Sequence, residues 1–227
     1  MYDLASGLDS RCRPGGNSVA VDMKMGPVGL RQCEIKVLGI MGSPRRQSNT
    51  EILLDRALAG AKEMGAEVEK VIVSELKIHP CAEICACRKD GECAIKDDMQ
   101  QVYQKLLEAD HIIFASPIFF YGLTSQAKAI VDRCQALWVR KYVLGMGKAD
   151  RRIRRGVFIS VGATRGERLF DGAVLTVRYF FDAVGVKYVG DLLIRGITGK
   201  AEIKQRPAAL QDAFRLGQQL VSLDVTK

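Results

Sequence analysis

From Ile35 onward, short apolar runs alternate with stretches of helical period, and this alternation limits the possible folds more than any other feature of the chain. Ile35–Ile40 is an apolar run that ends at Met41-Gly-Ser-Pro44, which reads as a strand followed by a turn. Ile52, Leu53, Leu54, Ala57, Leu58 and Ala61 then recur at helical spacing, with Ser48 or Asn49 placed to cap them. The same reading predicts strands at 67–73, 111–116, 156–161 and 187–194, and helices from Asp97 to Leu107, 126–137, 174–184 and 208–223. Apolar strands between amphipathic helices indicate an α/β fold, with a five-stranded parallel sheet covered on both faces. The 227 residues are enough for one such domain and short for two.

Parallel sheets of this kind take their ligands beyond the carboxyl ends of the strands. Three loops of unusual composition are predicted there. Gly42-Ser-Pro-Arg-Arg-Gln-Ser-Asn-Thr50 brings the hydroxyls of Ser43, Ser48 and Thr50, the Asn49 amide and the charge of Arg45 or Arg46 to a helix start, whose free N–H groups and dipole attract an anion. Plain capping would need one such residue, so this density suits a terminal phosphate monoester. Ser116-Pro-Ile-Phe-Phe-Tyr-Gly-Leu-Thr124 places Phe119, Phe120 and Tyr121 where a strand hands over to a helix, with Pro117 stiffening the turn and Gly122 admitting close approach. Those aromatics suit a flat heteroaromatic ring, and at least one of them is expected to belong to the core. Gly162-Ala-Thr-Arg-Gly166 is the third loop. No Gly-x-Gly-x-x-Gly follows the first strand and no complete phosphate-binding Gly-Lys-Ser/Thr loop is present.

Cys81, Cys85, Cys87 and Cys93 crowd into the 79–96 loop. In a reducing compartment such a cluster argues for metal or redox chemistry rather than structural disulfides. A [4Fe–4S] centre, tetrahedral zinc, and free thiols or a redox disulfide all remain open. Cys12, Cys33 and Cys134 stand alone and read as ordinary thiols. His111 reads as structural and His79 as a loop residue near the cysteines.

Residues 1–34 hold no apolar period and are expected to be a leader, poorly ordered or an upstream-start artefact, before a domain spanning 35–227. Asp3, Asp9, Arg11 and Arg13 interrupt any secretory pattern, and no run approaches the roughly 20 apolar residues of a membrane span. The expected compartment is the cytoplasm, without membrane association. The net charge of +8 concentrates in 140–155, read as a solvated loop. No nucleic-acid motif accompanies it, so nucleic acid is not expected as a partner.

The phosphate loop, the aromatic loop continued as Ser-Gln-Ala-Lys-Ala-Ile-Val-Asp-Arg133, and Gly162–Gly166 together resemble the NAD(P)H-dependent FMN reductase and iron–sulfur flavoprotein family over about 35–220. The resemblance implies a flavodoxin-like three-layer sandwich, FMN, NAD(P)H as co-substrate, and a homodimer or homotetramer. It implies that Ser43, Arg45, Ser48, Asn49 and Thr50 hold phosphate, that Pro117, Ile118, Phe119, Phe120, Tyr121 and Gly122 line the ring, and that Ala163, Thr164, Arg165 and Gly166 close the site. Phe119 departs from the Tyr common in the family. Iron–sulfur members space their thiols Cys-x-x-Cys-x-x-Cys-x-five-Cys, whereas this chain has Cys81-x-x-x-Cys85-x-Cys87-x-five-Cys93, with Ile84 at the usual second position. The implied function is an FMN-dependent oxidoreductase passing electrons between NAD(P)H or a reduced protein and an acceptor, with a [4Fe–4S] cluster. A non-enzymatic flavin and iron–sulfur electron carrier is the alternative. No side chain presents itself as a catalytic acid or base.

Overall fold

The computed structural model describes residues 35–146 and 153–222; the leader expected at 1–34 lies outside them, as do Lys148, Arg151 and Arg152 of the basic stretch. Five strands, β1 (Lys36–Met41), β2 (Glu67–Ile72), β3 (His111–Ala115), β4 (Arg155–Gly162) and β5 (Lys187–Arg195), form an all-parallel sheet in the order β2-β1-β3-β4-β5. Seven α-helices accompany them: α1 (Asn49–Glu63), α2 (Cys87–Asp90), α3 (Met99–Glu108), α4 (Ser125–Arg133), α5 (Gln135–Trp138), α6 (Asp171–Ala183) and α7 (Pro207–Ser222). This strand order is the flavodoxin-like one, whose topological switch point lies between β1 and β3.

The layers follow from alternation along buried strands. Leu38, Ile40, Ile112, Phe114 and Phe158 face α3, α4 and α6 and pack with Val102, Ile130, Val177, Phe180 and Phe181. Val37, Met41, Ile113, Val157 and Ile159 face the other way, onto Leu53, Leu54, Ala57 of α1 and Ala213, Leu220 of α7. The α1 and α7 backbones touch at Gly60 and Gly217: a Cβ on Gly217 would stand 1.8 Å from the Ala57 carbonyl oxygen. Registers pair Met41 with Ala115 and Ala115 with Ile159, so three neighbouring strands end in line.

Two expectations are corrected. The helix expected at 126–137 breaks at Cys134. The Tyr103 hydroxyl donates to the Arg133 carbonyl at 2.7 Å and so inserts a side chain into the helical ladder. The basic stretch is not a solvated loop where it is described. Arg154 and Arg155 are buried, and the Arg154 guanidinium donates to the carbonyls of Ala109 (2.9 Å), Val184 (2.7 Å) and Leu106, closing the carboxyl ends of α3 and α6. Lys141 pairs with Asp182 at 2.8 Å. No helix among the described residues is long and apolar enough to cross a membrane.

Candidate functional site

The aligned ends of β1, β3 and β4 bring the three loops to one edge of the sheet. Thr124 ties two of them: it caps α4 by accepting from the Ala127 N–H, and its hydroxyl donates to the Gly42 carbonyl at 2.5 Å. The Ser160 hydroxyl of β4 donates to the Ser116 carbonyl at 2.7 Å, and the Ile118 N–H to Val161 O at 3.0 Å. The loops are therefore pinned to one another beneath any ligand.

Ser48 is the N-cap of α1, its Oγ accepting the Glu51 N–H at 3.1 Å. Glu51 reaches back to the Gln47 N–H at 2.5 Å, a capping-box arrangement shifted by one residue. Gln47 takes a left-handed φ of 54° to permit it. The carboxylate of Glu51 is balanced by Arg46 (3.2 Å) and Lys70 (3.2 Å). With the Glu51 and Ile52 N–H groups bonded to Ser48, the first-turn N–H groups left to an outside acceptor are those of Asn49 and Thr50.

The expected phosphate residues divide in three ways. Thr50 is fully buried and its hydroxyl has no hydrogen-bond partner, an orphaned group at a helix N-terminus. A buried hydroxyl in that condition costs about 1–3 kcal/mol unless a ligand satisfies it. Arg45 is exposed and its backbone N–H donates to Ser43 Oγ at 3.2 Å, which folds the loop over the buried Ser43. Asn49 is committed elsewhere: its amide donates to Gly199 O at 2.7 Å and accepts from the Ile203 N–H at 3.0 Å, so only its backbone faces the loop's business. A single anionic group fits this cradle.

None of the three loop aromatics is core, contrary to the expectation that at least one would be. Phe119 and Tyr121 are about half exposed, at 50% and 58%, and Phe120 is fully exposed. Phe119 and Gly122 exchange both backbone hydrogen bonds (3.0 and 2.9 Å), and Phe120 and Tyr121 at the tip have φ of 47° and 62°. This is the geometry of a two-residue hairpin that ordinarily calls for Asn-Gly. Two bulky residues in the left-handed region store strain of the order of 1–2 kcal/mol each. A Cβ on Gly122 would meet nothing closer than 3.6 Å, and the third loop, Ala163 to Gly166, is exposed beside the Tyr121 hydroxyl. The hairpin thus presents aromatic faces over open space at the sheet's edge.

The cysteine loop is built differently. Its base is a buried fork: Arg133 binds both Asp97 oxygens (2.7 and 3.1 Å), His79 O (2.9 Å) and Ile95 O (3.0 Å). Asp97 also accepts the N–H groups of His79 (2.9 Å) and Met99 (3.0 Å). Burial would raise the Asp97 pKa, but the Arg133 hydrogen bonds and the two N–H donors outweigh it and hold the carboxyl below its ordinary value. Above that base Cys81 and Cys85 are exposed, Cys87 and Cys93 half-buried, and Glu83 and Cys85 have left-handed φ. The expected four-thiol ligand set is not assembled: among the described residues no three Cys, His, Asp or Glu side chains converge to hold a metal. Metal binding would deprotonate these thiols. The thiols nevertheless share one neighbourhood. Burial raises the Cys87 thiol pKa, and the charges of Cys93, Cys81 and Cys85 add to that. As a donor set, four thiols suit a soft metal centre.

Sequence reasoning missed Arg133 and Tyr103 as parts of this loop. Arg133 shares a helical face with the buried Ala127 and Ile130, and an arginine on an apolar face signals a buried partner.

The pattern of the family described as NADPH-dependent FMN reductase matches residues 35–193. An iron–sulfur flavoprotein of Archaeoglobus fulgidus is 39% identical over 142 residues, covering 62% of this chain and 69% of that protein. One from Methanosarcina thermophila is 37% identical over 131 residues, covering 58% and 65%. The chain thus spans about two thirds of the length of these relatives. In fold it resembles an NAD(P)H:quinone oxidoreductase from Methanothermobacter marburgensis, at a TM-score of 0.64 and 20% identity, covering 83% of this chain and 100% of the other.

Proposed function

The chain belongs to the NADPH-dependent FMN reductase and iron–sulfur flavoprotein family, and on that premise we propose that it is an oxidoreductase that holds FMN across its three sheet-end loops and a [4Fe–4S] cluster on Cys81, Cys85, Cys87 and Cys93. In this reading the donor would be NAD(P)H or a reduced protein, and the two centres would supply the means of passing its electrons to an acceptor. The observation that carries the flavin assignment is the orphaned Thr50 hydroxyl at the start of α1, the helix that follows β1, next to β3 and the strained, exposed Phe120–Tyr121 turn after it.

Bound FMN would supply the redox chemistry, taking electrons in pairs and releasing them singly. The chain's own residues would position it. The Thr50 hydroxyl and the Asn49 and Thr50 N–H groups would donate hydrogen bonds to the phosphate monoester, Arg45 would add charge, and the Ser48 cap would keep the helix start open toward it. Phe119 and Tyr121 would hold the ring from the hairpin, together with Thr164 to Gly166 of the third loop. No group need act as acid or base at the ring.

The thiol assignment rests on the names of the relatives and on the mutual influence of the four thiols; the loop must close above its Arg133–Asp97 base for the sulfurs to reach one centre. Self-association belongs to the same reading. The α4–α6 surface carries a groove of about 360 Å³ lined by Val131, Trp138 and Tyr179 together with Lys128, Asp132, Gln135 and Thr176, a mixed surface that a second copy would cover in this reading. Light scattering in solution tests that part.

The decisive experiment is analysis of anaerobically purified protein. Heat release should yield FMN near one per chain, with about four irons and four sulfides, and NADPH should bleach the flavin absorbance. FAD alone, or no flavin after reconstitution, overturns the flavin assignment. Stoichiometric zinc without sulfide overturns the cluster alone, since the flavin loops contain none of the cysteines.

A further inference from the structure

Arg133 has one donor that its ion pair does not use. The guanidinium is 1% exposed and carries five N–H donors. Nη1 and Nη2 serve Asp97, His79 O and Ile95 O, while Nε is buried with no hydrogen-bond partner. The side chain that shares its surroundings is Cys93, whose thiol interacts with both the Arg133 guanidinium and the Tyr103 hydroxyl. Tyr103 in turn is fixed by its bond to the Arg133 carbonyl. A buried N–H beside a half-buried sulfur, with no carbonyl left to satisfy it, fits a sulfur acceptor that carries charge.

We propose that Arg133 is a positioning residue for the thiol loop, closing its two ends through the Asp97 fork and donating its Nε–H to the Cys93 sulfur, so that the metal centre held there has a raised reduction potential. The inference rests on the [4Fe–4S] reading above. The direction follows from charge. Reduction adds an electron to the centre and makes its sulfurs better acceptors, so a fixed donor stabilises the reduced form more than the oxidised one. The placement also joins the two chemical regions. Arg133 ends the helix that begins one residue after Thr124, so nine residues of α4, about 14 Å of helix rise, connect the aromatic hairpin to the base of the thiol loop.

The test compares wild-type protein with Arg133→Lys and Tyr103→Phe after anaerobic reconstitution with ferrous iron and sulfide. Iron and sulfide are counted first, then midpoint potentials are measured by redox titration followed by electron paramagnetic resonance. Arg133→Lys keeps the charge and removes Nε–H. It is expected to shift the ratio of reduced to oxidised centre about tenfold toward oxidised at fixed potential, a fall of about 59 mV for one electron. Tyr103→Phe is expected to retain full iron and to shift less. If Arg133→Lys fails to fold, wild-type protein labelled with ¹⁵N-arginine gives an independent readout. One slowly exchanging Nε–H signal should move on loading with iron and sulfide, and should exchange faster in Cys93→Ser. Wild-type protein that takes up no iron defeats the cluster reading and this inference with it. Full iron with unchanged potential in Arg133→Lys, or an Nε–H signal indifferent to loading and to Cys93→Ser, defeats the inference and leaves the cluster standing.

Discussion

At the carboxyl edge of the sheet, Thr124 bonds Gly42, Ser160 bonds Ser116, and backbone donors of one loop end on carbonyls of the neighbouring strand. In the cysteine loop the buried polar ties stop at the base, where Arg133 grips Asp97, and the thiols above lie on exposed or half-buried backbone. The first region is shaped by the fold before any ligand arrives, and its remaining defects, an orphaned hydroxyl and a strained aromatic turn, are the sites a ligand would relieve. The second is anchored by the fold but shaped by whatever it holds. The difference is physical. A phosphate and a ring can be met by backbone groups that a sheet edge fixes in place, whereas a metal centre on these thiols would need their side chains deprotonated and brought together.

The largest effect should come from breaking the anchor. Asp97→Ala leaves the buried Arg133 charge without its counter-ion and is expected to destabilise the protein by about 3–5 kcal/mol, measured by urea unfolding, with faster tryptic cleavage at Arg88 and Lys89. A loss under about 1 kcal/mol would mean that the loop is not held at that base.

Acid separates the same two regions. His111 opens β3, the strand that delivers the aromatic hairpin, and burial together with the Arg155 charge lowers its pKa from 6.5 to about 4. The unfolded chain therefore binds the extra proton first. Stability should be unaffected above pH 6.5 and decline by about 3 kcal/mol as pH falls from there to about 4. Asp97, whose pKa is held below 3.8, contributes stability above that value and loses it only in more acid solution. Urea midpoints of His111→Gln should lose the slope between pH 6.5 and 4, and those of Asp97→Asn should keep it. A slope that persists in His111→Gln assigns the acid sensitivity elsewhere.

A smaller effect of opposite sign is expected at the hairpin. Phe120→Asn combined with Tyr121→Gly gives the turn the residues its backbone conformation favours, and should raise stability without flavin by about 1–2 kcal/mol. Flavin affinity should fall in the same variant, because the aromatic cover is gone. A variant that is less stable as well would show that the turn is not strained.

The parallel sheet and the placing of three loops after its strands were legible because buried parallel strands leave continuous apolar runs that helical spacing interrupts. Arg133 could have been found on the apolar face of its helix, beside Ala127 and Ile130. The hairpin could not, since Phe120-Tyr121 carries none of the Asn-Gly signal by which such turns are recognised. Nor could the use of Asn49, which depends on Gly199 and Ile203 coming alongside α1 from more than a hundred residues away. The arrangement of the thiols has no period to read, because no secondary structure beyond the short α2 orders that loop.

The smallest expected change in stability is also the sharpest probe of the preformed site. Thr50 is fully buried, its Oγ1 has no partner, and valine replaces it at nearly equal volume. Removing a hydroxyl that makes a hydrogen bond within the protein would destabilise the fold; removing an orphan should leave stability within about 0.5 kcal/mol or raise it slightly. β-Branching is kept, so the helix start should not be disturbed. If Thr50 donates to a phosphate, the same substitution should weaken FMN binding about tenfold, the low end for a hydrogen bond to a charged acceptor, since Arg45 and water near the exposed loop take up part of the loss. Asn49→Ala should show the reverse pattern, losing about 1 kcal/mol of stability with its ties to Gly199 and Ile203 while the backbone N–H proposed to meet the phosphate remains. Flavin titration and urea unfolding on the two variants therefore cross. Equal flavin affinity in Thr50→Val and wild type would place the phosphate away from the start of α1, and the contrast between a preformed edge and a merely anchored loop would fail at its preformed end.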